Sequence, residues 1–277
     1  MANYTAADIK EIREITGAGM LDVKKALDEA DGDKAKAVEV IRVKGLKGIA
    51  KREGRTASEG LIAVDIRDNE GSEGGQTGTL VEINSETDFV AKNDKFVALG
   101  DEAVAAAVES GASEPEELAA TAFGEALTNA GATMGEKILV RRIGRVSGEA
   151  VNSYMHRTNK DLPPQVGVLV ATDKAGAEVA RDVAMHIAAF TPTYLTRDEV
   201  PADVVENERR IAEETATNEG KPEKAIPKIV EGRLNGFYKE NVLLDQAFAK
   251  DPKQSVGKVV EAVGGTVTGF VRFRVGS

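Results

Sequence analysis

The hydrophobic positions change period along the chain, and each change marks an element. Residues 5 to 44 carry a helical period. Thr5 or Asp8 opens a first helix, with Ile9, Ile12 and Ile15 on one face, and Thr16-Gly17-Ala18-Gly19 breaks it. A second helix over 20–29 has Leu21, Val23, Ala26, Leu27 and Ala30 as its apolar set. Asp31-Gly32-Asp33 is a turn whose last residue caps a third helix, with Ala37, Val38, Val40 and Ile41 inward. The pattern predicts a three-helix module over 1–45, with a core of marginal size, and a basic, glycine-containing linker over 46–58.

Strand-like patterning then begins. Leu61 to Ile66 and Thr79 to Ile83 read as paired strands around a polar, glycine-rich loop from Asp68 to Gly78. Helices at about 88–109 and 114–130 follow, and Ile138 to Arg145 reads as a third strand. This defines a first α+β subdomain over 59–148. A second, over 149–277, repeats the plan: Gly167-Val168-Leu169-Val170 mirrors Gly78-Thr79-Leu80-Val81, and an alanine-rich helix runs from Ala177 to Ala189. An insertion over 200–240 carries two helical faces, one with Val204, Ile211 and Thr215, the other with Ile226, Ile229, Val230, Leu234 and Phe237. Gly220-Lys221-Pro222 turns between them, so the insertion reads as an antiparallel helical hairpin whose second helix Pro227 kinks or delays. Ser255 caps a last helix through Val263, and alternation from Val267 to Val275 reads as a final strand. The fold class is α+β: a three-helix module, then two related sheet-plus-helix subdomains with an inserted helical hairpin.

Composition narrows the function. The 277 residues are 42% hydrophobic, with no apolar stretch near the roughly 20 residues that a membrane span needs. Met1-Ala2-Asn3-Tyr4 has no basic region leading into an apolar one, so neither leader nor membrane is expected. The absence of cysteine excludes disulfides and thiolate metal sites, and is compatible with a reducing cytoplasm. A net charge of −10 argues against a nucleic-acid surface over the whole molecule. Arg42, Lys44, Lys47, Lys51, Arg52 and Arg55 form one basic stretch. It reads as a solvated linker, with an RNA or acidic-partner site as the alternative; no nucleic-acid partner is expected.

Catalytic chemistry is missing. Gly17-Ala18-Gly19 follows a helix rather than a strand, and Asp22 stands where a dinucleotide loop needs its third glycine. No Gly-x-x-x-x-Gly-Lys-Ser/Thr sequence occurs. His156 and His186 are the only histidines. His186 lies in an alanine-rich helix as a packed structural residue. No cofactor or metal is called for, and a binding protein is the better reading than an enzyme.

The strongest candidate site is Asn84-Ser85-Glu86-Thr87-Asp88-Phe89-Val90-Ala91-Lys92-Asn93, where a strand leads through a polar turn into a helix. Phe89 stands in the first helical turn, beside a cap at Thr87 or Asp88. Aromatics are 4% of the chain, so one at an element tip is a candidate contact residue. Position alone favours the plainer alternative, that Phe89 plugs the core of its own sheet.

Thr87 to Asn93 resembles the signature of the bacterial elongation factor Ts family. Thr16-Gly17-Ala18-Gly19-Met20-Leu21-Asp22-Val23-Lys24-Lys25-Ala26-Leu27 is similar to the family's N-terminal signature. Further similar blocks are Asp182 to Ala189, Val230 to Leu234 and Val267 to Phe273, all in the family's order. The resemblance implies a ubiquitin-associated-like fold for the N-terminal helices. It implies a cytoplasmic guanine nucleotide exchange factor that binds elongation factor Tu and expels GDP. Asp88 and Phe89 would wedge between helices of the GTPase domain and disturb its magnesium and phosphate site, with Thr87, Val90, Ala91, Lys92 and Asn93 setting the turn; Lys92 or Asn93 is also a candidate contact. Met20 and Leu21 would offer an apolar tip and Lys24 a charge to another helix of that domain, unless Leu21 belongs to the small core. Met134 and Gly135 match positions that line the partner surface. His156 and Val267 are either contacts to a different partner domain or structural. The hairpin touches the partner, supports self-association or simply projects.

Overall fold

The computed structural model describes residues 3–70 and 74–277. The first four residues read for a leader and the loop from Asp68 to Gly78 therefore lie partly outside the described residues.

Helices α1 (Ala6–Thr16), α2 (Met20–Glu29) and α3 (Lys34–Arg52) enclose Ile12, Val23, Ala26, Leu27, Ala37 and Ile41. Thr5 and Asp8 share the first helix start in a capping box, and Asp33 caps α3 by accepting from the Lys36 N–H. Two apolar positions leave the expected core: Ile15 and Leu21 face solvent.

The linker expected over 46–58 is instead helical as far as Arg52. The glycine just before it is the reason. Gly45 lets α3 run against α7 (Ala122–Met134) so closely that a Cβ would lie 1.8 Å from the Ala132 carbonyl oxygen. Arg52 then donates to the carbonyls of Gly131 and Gly45 at 2.8 and 2.7 Å, adding a second bond to a carbonyl in the last turn of α7 that already accepts from the Gly135 N–H. Gly45, within the basic run, is a close-packing position between two helices.

Strands β1 (Glu59–Asp68), β2 (Gln76–Ser85) and β3 (Leu139–Gly148) form an antiparallel sheet with β2 central. Strands β4 (Ala150–His156), β5 (Val166–Thr172) and β8 (Val267–Arg274) form another with β5 central. Alternation sorts the side chains. Leu61, Val81 and Ile83 face α5 (Asp94–Ser110), through Phe96, Leu99 and Ala103. Ile62 and Leu80 face the other sheet, meeting Val151, Leu169 and Phe273. On the far side of that sheet, Val168 and Val170 pack on α8 (Ala177–Phe190). Both faces of each sheet are thus covered, which is why β5 is buried along its whole length and β2 from Gly78 to Ser85.

The mirrored glycines of those runs lie between the sheets. A Cβ on Gly78 would lie 2.9 Å from Leu169 Cδ2, and one on Gly167 would lie 2.6 Å from Ile62 Cγ2. Each is a gap for a large side chain of the opposite sheet.

The helical stretches expected at 88–109 and 114–130 are each divided. The first is α4 (Asp88–Ala91) and α5; the second is α6 (Pro115–Ala119) and α7. Asn93 and Thr121 end one helix and cap the next, accepting from the N–H groups of Lys95 and Phe123.

The insertion is the antiparallel pair α9 (Ala202–Asn218) and α10 (Ile226–Asn241). Pro227 stands in the first turn of α10, where its missing N–H has no helical acceptor. The inward face of α9 is Ala212 and Ala216, not Ile211 and Thr215, which are exposed. Val230 and Leu234 of α10 supply the bulk, so α9 contributes small residues. A two-stranded ribbon of β6 (Ala247–Phe248) and β7 (Asp251–Ser255) leads into α11 (Val256–Ala262), capped by Ser255. None of the helices among the described residues is long and apolar enough to cross a membrane.

Candidate functional site

The turn after β2 presents Phe89 by anchoring its neighbours. Thr87 is the N-cap of α4, its hydroxyl accepting from the Val90 N–H at 3.4 Å. Val90 and Ala91 turn into the core beneath the sheet. A single helical turn cannot bury every side, and with Val90 and Ala91 inward, Phe89 points out and is 73% exposed. The core-plug alternative is thereby excluded. A large exposed aromatic on a rigid one-turn helix loses little side-chain freedom when it is bound.

Lys92 covers the free ring. Its ammonium lies 4.5 Å from the Phe89 ring centre and 3.2 Å from Asp88 Oδ2. The cation over the ring face and the carboxylate beside it bring residues 88, 89 and 92 into one cluster.

Acidic side chains fix the turn from outside. Glu136 Oε2 accepts from the backbone N–H of Glu86 and of Thr87 at 3.0 and 3.1 Å, and Oε1 accepts from the Thr87 hydroxyl at 2.5 Å. In return, Glu86 accepts from the Lys137 N–H at 2.6 Å and pairs with Arg55 at 3.2 Å. The Lys137 ammonium donates to the carbonyl oxygens of Glu53 and Arg55, just past the end of α3. None of Glu86, Glu136 and Lys137 stands out by spacing, because their contacts join loops far apart in sequence. The visible signal was a carboxylate immediately after a helix-ending glycine, Gly135.

The N-terminal signature meets this turn. Gly17 ends α1 in the left-handed conformation (φ 73°), and a Cβ there would lie 3.1 Å from Met134 Cγ and 3.2 Å from Asn93 Nδ2. Just beyond, Met20 and Leu21 open α2, 58% and 71% exposed. Lys24, one turn further on, is also exposed. The alternative that put Leu21 in the small core is overturned: Gly19 starts α2 at a phase that sends Val23, Ala26 and Leu27 inward.

The other expected site residues divide. Gly135 is exposed, whereas Met134 is buried in the cluster around Phe96 and Leu118. Its side chain underlies the surface instead of forming it, and it borders a cleft of about 200 Å³ between α2, α3 and α7. His156 is exposed at the end of β4, its Nδ1 3.2 Å from the Tyr154 hydroxyl. Val267 is buried with Val168 and Val183. Both belong to the second sheet, apart from the cluster around Phe89.

The basic stretch is largely engaged within the chain. Arg42 donates to Asn129, Lys44 pairs with Glu29, Arg52 holds two carbonyls and Arg55 pairs with Glu86. These bonds hold α3 to its neighbours, and they take side chains that an RNA site would need. His186 is buried, its Nε2 2.8 Å from Gln246 Oε1 and its Nδ1 accepting from the Ala249 N–H at 3.2 Å. Burial holds its pKa below the ordinary value, against a smaller upward effect of Gln246. No group of three or more acidic or histidine side chains among the described residues is arranged to hold a metal.

Comparison with known proteins gives a consistent result. A family model described as "Elongation factor TS" matches residues 86–277. The chain is 64% identical over 282 residues to "Elongation factor Ts" of Beutenbergia cavernae, covering 100% of both chains. It is 61% identical over 285 residues to "Elongation factor Ts" of Micrococcus luteus and 55% identical over 282 residues to that of Kineococcus radiotolerans, again covering 100% of each chain.

Proposed function

This chain belongs to the elongation factor Ts family of translation elongation factors, and from that premise we propose that it is a guanine nucleotide exchange factor for elongation factor Tu in the cytoplasm. It binds the GDP form, expels GDP and leaves a nucleotide-free complex that GTP resolves. No covalent bond changes, so it accelerates exchange without being an enzyme of a reaction class. The observation that carries the reading is the 73% exposure of Phe89 on a turn held by a cap, two core anchors and a carboxylate.

The mechanism is a wedge. The Phe89 ring enters a crevice between helices of the GTPase domain, with Asp88 beside it. The displacement disturbs the magnesium site and the phosphate-binding loop. Loss of the cation leaves the diphosphate charge poorly neutralised, and GDP leaves faster.

Energetics require more than the wedge. Moving a site from about 1:99 to 99:1 takes roughly 5.5 kcal/mol of differential affinity. Burying one phenylalanine contributes about 1.5–3 kcal/mol. The remainder comes from other contacts, and Met20, Leu21 and Lys24 beside the wedge are the first candidates. Gly135 adds backbone surface, and His156 reaches a different domain of the partner.

Linkage supplies the test. If the chain weakens GDP binding by a given factor, GDP weakens binding of the chain by the same factor. Two titrations measure this: GDP affinity of elongation factor Tu with and without the chain, and affinity of the chain with and without GDP. Equal factors, each well above one, support the reading. A chain that binds while leaving GDP affinity unchanged is a scaffold, and the proposal is wrong.

A further inference from the structure

We propose that Glu136 is a positioning residue for nucleotide exchange, holding the turn from which Phe89 enters the partner; this rests on the wedge reading above. Beyond Ser85 the ladder stops, and the N–H groups of Glu86 and Thr87 require other acceptors. One carboxylate oxygen of Glu136 accepts both, at 3.0 and 3.1 Å.

The second oxygen sets the cap. The Thr87 hydroxyl has one proton, and it points at Glu136 Oε1. The hydroxyl oxygen is thereby left to accept from the Val90 N–H, which is the N-cap bond of α4. Glu136 therefore orients Thr87, Thr87 orients the first turn of α4, and that turn carries Phe89. A neutral side chain at 136 would let the hydroxyl rotate and compete for other acceptors.

The position of Glu136 links this turn to the rest of the site. It follows Gly135, while Lys137 is bound through its N–H to Glu86 and through its ammonium to the carbonyls after α3. The loop that steers Phe89 thus also holds the segment leading from the N-terminal helices. Glu136 does this without taking part in the apolar core, where Val90 and Ala91 anchor α4 independently. Its removal is expected to loosen how the ring is presented and to leave the fold in place.

A double-mutant cycle tests the inference. The rate of fluorescent GDP release from elongation factor Tu is measured against concentration of the full chain, as native protein, Glu136→Ala, Phe89→Ala and the double variant. Glu136→Ala is expected to lower the maximal release rate about tenfold, the loss of hydrogen bonds to a charged group. The half-saturating concentration should change by less than about threefold, because the remaining interface is intact. The double variant should be no slower than Phe89→Ala alone, since a ring that is absent cannot be positioned. Glu136→Gln keeps one acceptor oxygen for the two N–H groups but turns an amide NH2 towards the Thr87 hydroxyl, so its maximal rate should fall between those of the native protein and Glu136→Ala.

Two results overturn the inference alone: losses that multiply in the double variant, and a Glu136→Ala protein that melts lower yet exchanges at the native rate. Native exchange by Phe89→Ala would instead overturn the wedge reading itself.

Discussion

Gly17 and Asn93 lie side by side, so two signatures far apart in sequence form one surface. The Asn93 side-chain Oδ1 accepts from the Lys95 N–H at 2.9 Å, which leaves Nδ2 facing Gly17. Gly17 has φ 73°, and a Cβ there would crowd Met134 Cγ at 3.1 Å. Alanine at this position is expected to cost about 1–2 kcal/mol from the left-handed backbone alone, and to push the tip of α2 away from the Phe89 turn. Thermal melting of Gly17→Ala should fall by roughly 2–6 °C, with slower exchange per folded molecule. An unchanged melting temperature would contradict the left-handed conformation at Gly17, and a native exchange rate per folded molecule would contradict the contact with the Phe89 turn.

Lys24 provides a separate prediction. It is exposed one turn along α2 from Met20, and among the described residues it makes no ion pair that its replacement would break. Lys24→Glu is expected to weaken the complex with elongation factor Tu by about fivefold or more, through like-charge or lost-pair effects at an interface, and to leave the melting temperature within about 1 °C. A binding titration and a melt read the two effects separately. Equal affinity for both proteins would remove Lys24 from the interface.

His186 predicts a pH dependence. Burial lowers its pKa from the ordinary 6.5, and the geometry agrees: Nδ1 accepts from the Ala249 N–H and so has no place for a second proton. Above 6.5 the histidine is neutral in both folded and unfolded chains, and its stabilisation is fully present. As pH falls below that value, the unfolded chain takes up a proton that the folded chain refuses, and stability is lost. Melting temperature should therefore decline from about pH 7.5 to about pH 5, and His186→Gln should flatten that part of the curve. An equally steep decline in the variant would assign the effect to other groups.

Much of this fold was legible as pattern. The paired strands, the caps at Thr5, Asp33 and Ser255, and the place of Pro227 in the first turn of α10 follow from local chemistry. What could not be read depends on tertiary approach. Gly45 shows its close-packing role only once α7 is placed against it. Leu21 and Ile211 carry an inward residue type, but the helix phase turns both outward. The site divides in the same way. Thr87 to Asn93 were legible as a cap, a turn and an odd aromatic. The burial of Met134 and the brace at Glu136 come from the loop between α7 and β3 folding against the end of β2.

The central claim is that Phe89 acts on the partner and not on its own fold. The direct measurement is release of fluorescent GDP from elongation factor Tu by the native chain and by Phe89→Ala, alongside a thermal melt of each. Losing the burial of one ring, about 1.5–3 kcal/mol, should slow release by roughly ten- to a hundredfold. Because the ring is 73% exposed, the melting temperature should move by no more than about 2 °C. Release at the native rate, with a lower melting temperature, would contradict the account and return Phe89 to a structural role.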